Sequence, residues 1–273
     1  MIVDDIAQYL DQFAPADLAE SWDNVGLLAG DRGAPVTKVM TCLTITPASA
    51  AEAIAAGAEL IVAHHPLPFR PLKRLTTDTL EGRLLCDLLA ARIAIYSPHT
   101  AFDSTSGGIN ERLAAGLGLV DLEPLVLLPQ STTSAVTAGQ AVEGRRGTGR
   151  RGRAPAGTTG DALAARVRQF LRIGQVQAIG DTGRIAENVA VACGSAGEFL
   201  VPAHAAGCQL LVTGEVRFHT CLEAEGLGVT LLVVGHFASE RFAVEVLAGV
   251  LAKRFPPVTF WASRHERDPV RWI

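Results

Sequence analysis

The sequence lacks the features that define several broad classes of protein. It contains no CxxC pair, and its five cysteines are widely spaced among apolar residues, so we predict reduced, buried thiols instead of a disulfide framework. No apolar run approaches the roughly 18 residues of a membrane span, and the acidic start Met-Ile-Val-Asp-Asp differs from a basic signal peptide. The net charge of −4 provides no global field that attracts nucleic acid or anionic lipid. We therefore expect a cytoplasmic protein without a membrane or nucleic-acid partner.

The chain does have many apolar residues, and they occur in short strand-like runs and in longer segments with helical spacing. Its 273 residues are 48% hydrophobic and 19% charged, which suits one large or two medium domains with substantial cores. An amphipathic helix is predicted at the start, and from Val36 onwards short apolar runs alternate with longer helix-like segments. Strands that alternate with helices predict an α/β sheet of parallel character, whose functional sites gather where the strands end.

The most informative stretch is Leu60 to Phe69, LIVAHHPLPF. Its apolar run predicts a buried strand, and Pro66 prevents helical continuation. The strand therefore delivers His64 and His65 to the exposed carboxyl edge of the sheet.

Two other segments place metal-type side chains just after predicted strands. His99 and Asp103 form an HxxxD segment, which is also explained by a histidine that caps a loop and an aspartate that makes a turn. His236 and Glu240 follow a strong strand farther along the chain. If a helix begins at His236, the two side chains lie at i and i+4 on one helix face.

These residue types are typical metal ligands. Imidazole nitrogen and carboxylate oxygen accept Zn, Fe, Mn, Ni or Co. Adjacent histidines diverge, so a His-His pair serves two ions more easily than one, and an acidic residue can bridge ions roughly 3.5 to 4 Å apart. The residues alone leave a dinuclear metal site and a set of hydrogen-bonded structural histidines as alternatives. The candidate ligands are His64, His65, Asp103, His236 and Glu240.

Four further segments carry weaker signals. Trp22-Asp23-Asn24 is either a plain Asx turn or part of a site. The basic stretch Glu143–Gly157, with five arginines, is either a flexible linker or a phosphate-binding loop, and its composition favours the linker. The turn 194–197 is either tight geometry, which we favour, or an anion site where the next helix begins. Asp161 is the predicted N-cap of a helix over residues 162–171.

Six short motifs follow one another along the chain: SWDNVGL, AHHP, HTAFDSTSGGIN, GTGRRG, VTGEVRFH and GHFASE. They occur in the order found in the NIF-three-like (YbgI) family of dinuclear-metal proteins, which the chain resembles from Trp22 to Glu240. The resemblance implies two α/β domains with mixed sheets flanked by helices, a dimetal site in the interdomain cleft, and toroidal homohexamers built as a trimer of dimers. We expect an N-terminal domain over residues 1–125, completed by about 236–273, and a second domain over 126–235.

Carried over by motif, the family's ligand positions match the five candidate ligands already named. The resemblance also assigns His99, His219 and Glu215 to supporting or proton-transfer roles beside two divalent ions. It revises the interpretation of the basic stretch, because Gly147, Gly149, Arg150 and Gly152 then belong to an ordered loop that contacts an anion.

The family's members carry the name GTP cyclohydrolase 1 type 2 homologue. The resemblance therefore predicts a metal-dependent hydrolase that acts on a nucleotide or related small molecule through a metal-activated water, with arginines such as Arg150 neutralising phosphate. The alternative is a metal-binding scaffold or regulator that works as a hexameric ring without catalysis.

Overall fold

The computed structural model describes residues 1–128 and 146–271, and their contacts group into two compact units. The first unit is Met1–Phe102 with Glu240–Ile273, and the second is Asp103–Ser239. The domain boundaries expected from the sequence stay a prediction, because compactness alone does not define a segment that folds independently.

Helices and strands alternate along the chain, as the sequence predicts. The helices are α1 (Val3–Phe13), α2 (Pro47–Ala56), α3 (Leu80–Ala90), α4 (His99–Ser104), α5 (Ile109–Gly116), α6 (Gly160–Leu171), α7 (Leu200–Ala205), α8 (Phe218–Leu227) and α9 (His236–Arg254). The strands are β1 (Gly26–Ala29), β2 (Lys38–Cys42), β3 (Leu60–Ala63), β4 (Ala94–Ser97), β5 (Val120–Glu123), β6 (Val126–Leu127), β7 (Gly147–Thr148), β8 (Arg150–Arg153), β9 (Gln177–Ile179), β10 (Asn188–Ser195), β11 (Leu210–Glu215), β12 (Thr230–Val233) and β13 (Thr259–Ala262).

The first unit contains a mixed sheet in the order β1-β4-β3-β2-β13. The four strands from β4 to β13 run parallel, and β1 pairs antiparallel with β4. Every residue of β3 is buried, which confirms the strand predicted from its continuous apolar run. One core cluster joins side chains of β2, β3 and β4 to the buried faces of α2 and α3. Because neighbouring parallel strands end at the same edge, the residues after β2, β3 and β4 come close together.

The second unit contains a mixed sheet in the order β5-β8-β10-β11-β12-β9. Strands β10, β11 and β12 are parallel, whereas β8 and β9 pair antiparallel with β10 and β12. Side chains of α7 and α8 pack with the central strands in a second core cluster. The predicted α/β class with mixed sheets flanked by helices is confirmed.

Local signals explain how α2 begins and ends. The Thr46 side chain accepts a hydrogen bond from the Ser49 backbone N–H, and Pro47 occupies the first turn, where its missing N–H costs nothing. Gly57 ends the helix with φ +67°, a left-handed conformation that glycine adopts without a steric penalty. The sequence predicts an Ala-rich helix from Pro47 to Gly57 with Gly57 in the stop position, and the structure confirms it.

Three local predictions were wrong. Thr159, not Asp161, caps α6, because its hydroxyl accepts from the Ala162 backbone N–H. The HxxxD segment is helical instead of a loop, so His99 and Asp103 lie one turn apart on α4. The described part of the basic stretch forms β7 and β8, so the linker favoured by composition was wrong, whereas the ordered segment implied by the resemblance is confirmed. Residues 143–145 lie outside the described residues.

The five cysteines are all free thiols. Cys42, Cys193 and Cys208 are buried as predicted, but Cys86 and Cys221 are partly exposed. Burial raises the pKa of Cys42 well above its ordinary value. Within residues 1–128 and 146–271, no helix combines the length and the apolar composition that crossing a membrane requires.

Candidate metal centre

Three imidazoles meet at the carboxyl edge of the sheet in the first unit. His64 and His65 directly follow β3, and His99 begins α4 just after the neighbouring strand β4. The backbone N–H groups of His64 and His65 donate to the Cys42 and Leu43 carbonyls at 2.9 and 2.8 Å, so both residues extend the sheet's hydrogen bonding. One ring nitrogen from each of the three histidines lies within 4.8 Å of the others. The sheet therefore fixes the backbone from which two of these imidazoles project.

Glu240 brings a carboxylate to the same histidines. Its Oε2 atom lies 3.1 Å from His65 Nε2 and 3.9 Å from His64 Nε2. The residue is only 3% exposed, on the second turn of α9. One carboxylate oxygen thus faces two imidazoles, so the structure brings the side chains of His64, His65 and Glu240 together.

A chain of polar contacts orients the imidazole of His65 through its Nδ1 atom. Its Nδ1 atom lies 2.7 Å from the Thr44 hydroxyl, and the Thr44 backbone N–H donates to Glu266 Oε1 at 2.7 Å. The Glu266 carboxylate in turn forms an ion pair with Arg241, whose Nε atom lies 3.0 Å from Oε2. Supporting contacts of this kind fix the ring angle and the tautomer of a metal-binding histidine. Thr44, Arg241 and Glu266 were not foreseen from the sequence.

His99 is held by a buried aspartate. His99 Nδ1 lies 2.6 Å from Asp23 Oδ1, and the Asp23 side chain is fully buried. The other carboxylate oxygen accepts from the backbone N–H and the hydroxyl of Thr100. Burial acts to raise the pKa of Asp23, but the hydrogen bonds from His99 and Thr100 outweigh it and leave that pKa below its ordinary value. Asp23 is therefore an ionised partner of His99, and its SWDNVGL motif was the signal that pointed to it.

The second unit positions the other two candidate ligands. His236 is the first residue of α9, and its Nδ1 atom lies 3.1 Å from Glu215 Oε1. Asp103 lies on α4, where its Oδ1 atom accepts from the Cys193 thiol at 3.1 Å. Glu215 thus contacts one ring nitrogen of His236, as a supporting residue would.

His219 is exposed on α8, and its ring packs edge-on against Phe218 with centroids 5.8 Å apart. Among the described residues, the groups of metal-type side chains do not include it. Its role in proton transfer stays a prediction.

Arg150 does not face solvent as a phosphate ligand would. It is 5% exposed, and its guanidinium donates to the carbonyl oxygens of Ser104, Thr105, Gly147 and Gly149 at 2.6 to 3.1 Å. Burial lowers the pKa of Arg150, and the nearby Glu111 carboxylate partly counteracts that shift. The expectation that Arg150 neutralises a substrate phosphate was wrong, because the side chain is engaged in holding the backbone after α4.

The donor set in the first unit fits a divalent metal ion. Ring nitrogens of the three histidines lie within 4.8 Å of one another, and the Glu240 carboxylate oxygen lies 3.1 Å from one of the rings. Hydrogen bonds at Nδ1 orient the rings of His65 and His99. Hard and borderline cations with nitrogen and oxygen preference suit this set.

The sequence model of the Duf34/NIF3 (NGG1p interacting factor 3) family matches residues 1–269. The chain belongs to this family. A Clostridium perfringens member named GTP cyclohydrolase 1 type 2 homolog is 31% identical over 274 residues, covering 100% of both chains. NIF3-like protein 1 of Drosophila melanogaster is 31% identical over 271 residues, covering 97% of this chain and 87% of the fly protein.

Solved structures agree with the family's fold. A crystal structure of a Staphylococcus aureus protein superposes with a TM-score of 0.86 at 26% identity, covering 100% of this chain and 99% of that chain. A Bacillus cereus protein related to NIF3 gives a TM-score of 0.87 at 23% identity over 100% and 99% of the two chains, which shows the shared fold. Family membership and the α/β fold with mixed sheets flanked by helices are therefore confirmed.

Proposed function

We propose that this member of the Duf34/NIF3 family is a dinuclear metal-dependent hydrolase. Five side chains would hold two divalent ions, drawn from Zn, Fe, Mn, Ni or Co, which would supply a metal-activated water for hydrolysis of a nucleotide or a related substrate. The observation that carries the proposal is the Glu240 carboxylate oxygen that faces both adjacent histidines. The proposed ligands are His64, His65, Asp103, His236 and Glu240.

The helix spacing supports this ligand set. His236 and Glu240 are one turn apart on α9, as His99 and Asp103 are on α4, so each helix presents two metal-type side chains on one face. When bound, a pair of divalent ions supplies Lewis acidity and lowers the pKa of a coordinated water toward neutrality. The adjacent imidazoles of His64 and His65 would each serve one of the two ions.

The remaining polar residues have distinct roles in this proposal. Asp23 orients His99 through Nδ1, and we assign His99 to holding or moving a proton at the reacting centre. Glu215 orients His236 in the same manner. His219 stays a candidate for a second proton-transfer group.

The substrate class rests on the relatives' names. A Helicobacter pylori relative named GTP cyclohydrolase 1 type 2 is 29% identical over 254 residues, covering 92% of this chain and 91% of that protein. We therefore propose a nucleotide substrate, and for GTP the attack falls on the imidazole ring of the purine.

A turnover screen tests the proposal. The protein, loaded separately with each of the five metals, is incubated with GTP, other nucleotides and simple phosphoesters. Glu240→Gln is the test variant, and Glu245→Gln is the matched control because Glu245 is exposed on the same helix. We expect turnover in wild type and Glu245→Gln that is lost in Glu240→Gln. Turnover in none of the metal forms, with metal still bound, would favour the non-catalytic metal scaffold.

We also propose that the chain acts in the cytoplasm as a homohexamer, a trimer of dimers. The five free thiols suit a reducing compartment, and family membership supports the ring. Light scattering coupled to gel filtration measures the mass directly, and a monomer or dimer would contradict the hexamer.

A further inference from the structure

Two exposed aromatic side chains flank His99 in the first unit. The ring centroids of Trp22 and Phe69 lie 6.0 and 6.1 Å from the imidazole of His99, and 5.9 Å from each other. Trp22 is 60% exposed and Phe69 is 43% exposed. We call this pair the aromatic rim. Large apolar rings that stay exposed next to a buried polar cluster are typical of a surface that binds a ligand.

Polar contacts beside each ring hold the aromatic rim in place. The residue after Trp22 is Asp23, whose carboxylate bonds His99 and Thr100. The Asn24 side chain donates to the Pro68 carbonyl oxygen at 2.8 Å, and Phe69 is the next residue. The two segments are therefore tied to each other and to His99, so a ligand finds the rings already positioned.

The segment that follows Phe69 is positively charged. Arg70, Lys73 and Arg74 are all exposed, and no acidic residue occurs between residues 69 and 77. This local charge contrasts with the net charge of −4 for the chain. Arg70 is the cation nearest to the rim along the chain. A ligand that suits both features has a flat aromatic ring and an anionic group.

We propose that the aromatic rim is the base-binding subsite, and that it selects a nucleotide whose ring stacks on Trp22 or Phe69 while its phosphate contacts Arg70 and its neighbours. The inference deepens the proposed function, on which it rests for the chemistry beside the rim. Stacking on an aromatic side chain tolerates different bases, because every base has a π face. The rim therefore selects for a base as a class, and the charged segment selects for phosphate.

Equilibrium binding to the full-length, metal-loaded protein tests the subsite without any need for turnover. Three probes separate its parts: GMP carries ring and phosphate, guanosine carries the ring alone, and ribose 5-phosphate carries the phosphate alone. Trp22→Ala and Phe69→Ala remove the rim, Trp22→Phe retains a ring, and Leu222→Ala is the control at an exposed apolar residue of the second unit. Calorimetry gives each affinity, and light scattering gives the oligomeric state.

We expect Trp22→Ala to weaken GMP and guanosine by at least about fivefold, the lower end of one stacking interaction, and to leave ribose 5-phosphate unchanged. Trp22→Phe should recover part of the loss. Arg70→Ala should weaken GMP and ribose 5-phosphate but not guanosine.

Two results would overturn the subsite: no binding of GMP to wild type, or equal GMP affinity in wild type and both rim variants. A changed oligomeric state with unchanged GMP affinity would likewise overturn it and would make the rim a contact between copies of the chain. The experiments distinguish a failure of the base-binding subsite from a failure of the proposed hydrolase. Turnover of another substrate that depends on Glu240 but not on Trp22 would remove only the subsite, whereas rim-dependent GMP binding without turnover would remove only the hydrolase.

Discussion

The hydrogen-bond donors around Asp23 require a negatively charged carboxylate at this position and not only a side chain of the same shape. Its carboxylate accepts from His99 Nδ1, from the Thr100 backbone N–H and hydroxyl, and from the Asn24 backbone N–H. An amide at this position would direct an NH₂ group toward at least one of these donors. We therefore expect Asp23→Asn to lower the free energy of unfolding by about 1 to 3 kcal/mol and to remove the fixed tautomer of His99.

Urea denaturation and ¹⁵N NMR of histidine-labelled protein measure these two effects. Asp31→Asn is the control, because Asp31 is exposed and, within the part of the chain that the structure describes, its side chain accepts a hydrogen bond only from the nearby Gly33 N–H. A His99 signal that stays in one tautomer in Asp23→Asn would contradict the orienting role.

The lowered pKa of Glu52 predicts that the free energy of unfolding depends on pH. Burial acts to raise the pKa of Glu52, but hydrogen bonds from Ser263, Arg264, His265 and Trp261 outweigh it and hold the pKa below its ordinary value of 4.5. A carboxyl group whose pKa is lower in the folded state stabilises the fold above its unfolded pKa, and that contribution is lost as the pH falls through the folded pKa.

We expect Glu52→Gln to lower the free energy of unfolding at pH 7 by about 1 kcal/mol, because the amide cannot accept from all these donors. The difference from wild type should shrink as the pH falls below about 4.5, since the wild-type carboxylate is then protonated. Thermal unfolding between pH 3 and pH 7 measures it, with the exposed Glu225→Gln as control. A difference that grows toward low pH would refute the prediction.

The sequence predicted the residues of the centre that sit at strand ends but missed the ones that support them. His64 and His65 follow an apolar run, so pattern alone located them. Asp23 and Glu266 act on partners 76 and 222 residues away, and no local pattern contains that information. For Asp23 only the family motif gave a signal.

At the scale of elements, Thr159 and Asp161 are two candidate caps for the N-terminus of α6, and their contacts distinguish them. Thr159 accepts from the Ala162 N–H, whereas Asp161 lies in the first turn and acts only through its charge. We expect Thr159→Ala to lower the free energy of unfolding by about 1 kcal/mol and Asp161→Ala by about 0.3 to 0.5 kcal/mol. Chemical denaturation of both variants measures the order, and a larger loss in Asp161→Ala would reverse the assignment.

Arg150 joins β8 to the end of α4. Four carbonyl oxygens accept from its guanidinium, which a lysine cannot replace because it lacks the planar fork. We expect Arg150→Lys to lower the free energy of unfolding by about 2 to 4 kcal/mol. Arg153→Lys, on the same strand, should change it by less than about 0.5 kcal/mol, since the ion pair of Arg153 with Asp121 is exposed. Equal effects of the two changes in urea unfolding would contradict the role of Arg150.

Elements were predicted well where periodicity and stop signals agree, as in α2 and β3. They were missed where tertiary contacts decide the structure. The glycine- and arginine-rich sequence of β8 has the composition of a linker, yet pairing with β10 and the burial of Arg150 make it a strand. Strand propensity depends strongly on such neighbours.

At the scale of the whole molecule, sequence and structure support the family and the fold more firmly than the reaction. The α/β architecture follows from alternation along the chain, and the family follows from collinear motifs. The substrate does not follow from either, because one fold supports many activities and a hydrolytic metal pair can attack several kinds of bond. The binding experiment at the aromatic rim addresses that question.

The central claim is that the Glu240 carboxylate and the histidines beside it hold metal, and metal content per chain tests it most directly. Inductively coupled plasma mass spectrometry measures the metal content of the purified full-length protein, of Glu240→Gln and of the control Glu245→Gln. We predict about two divalent ions per chain in wild type and in Glu245→Gln, and a clear loss in Glu240→Gln. Wild-type protein that stays metal-free after incubation with the divalent ions would contradict the account, and so would equal metal content in all three proteins.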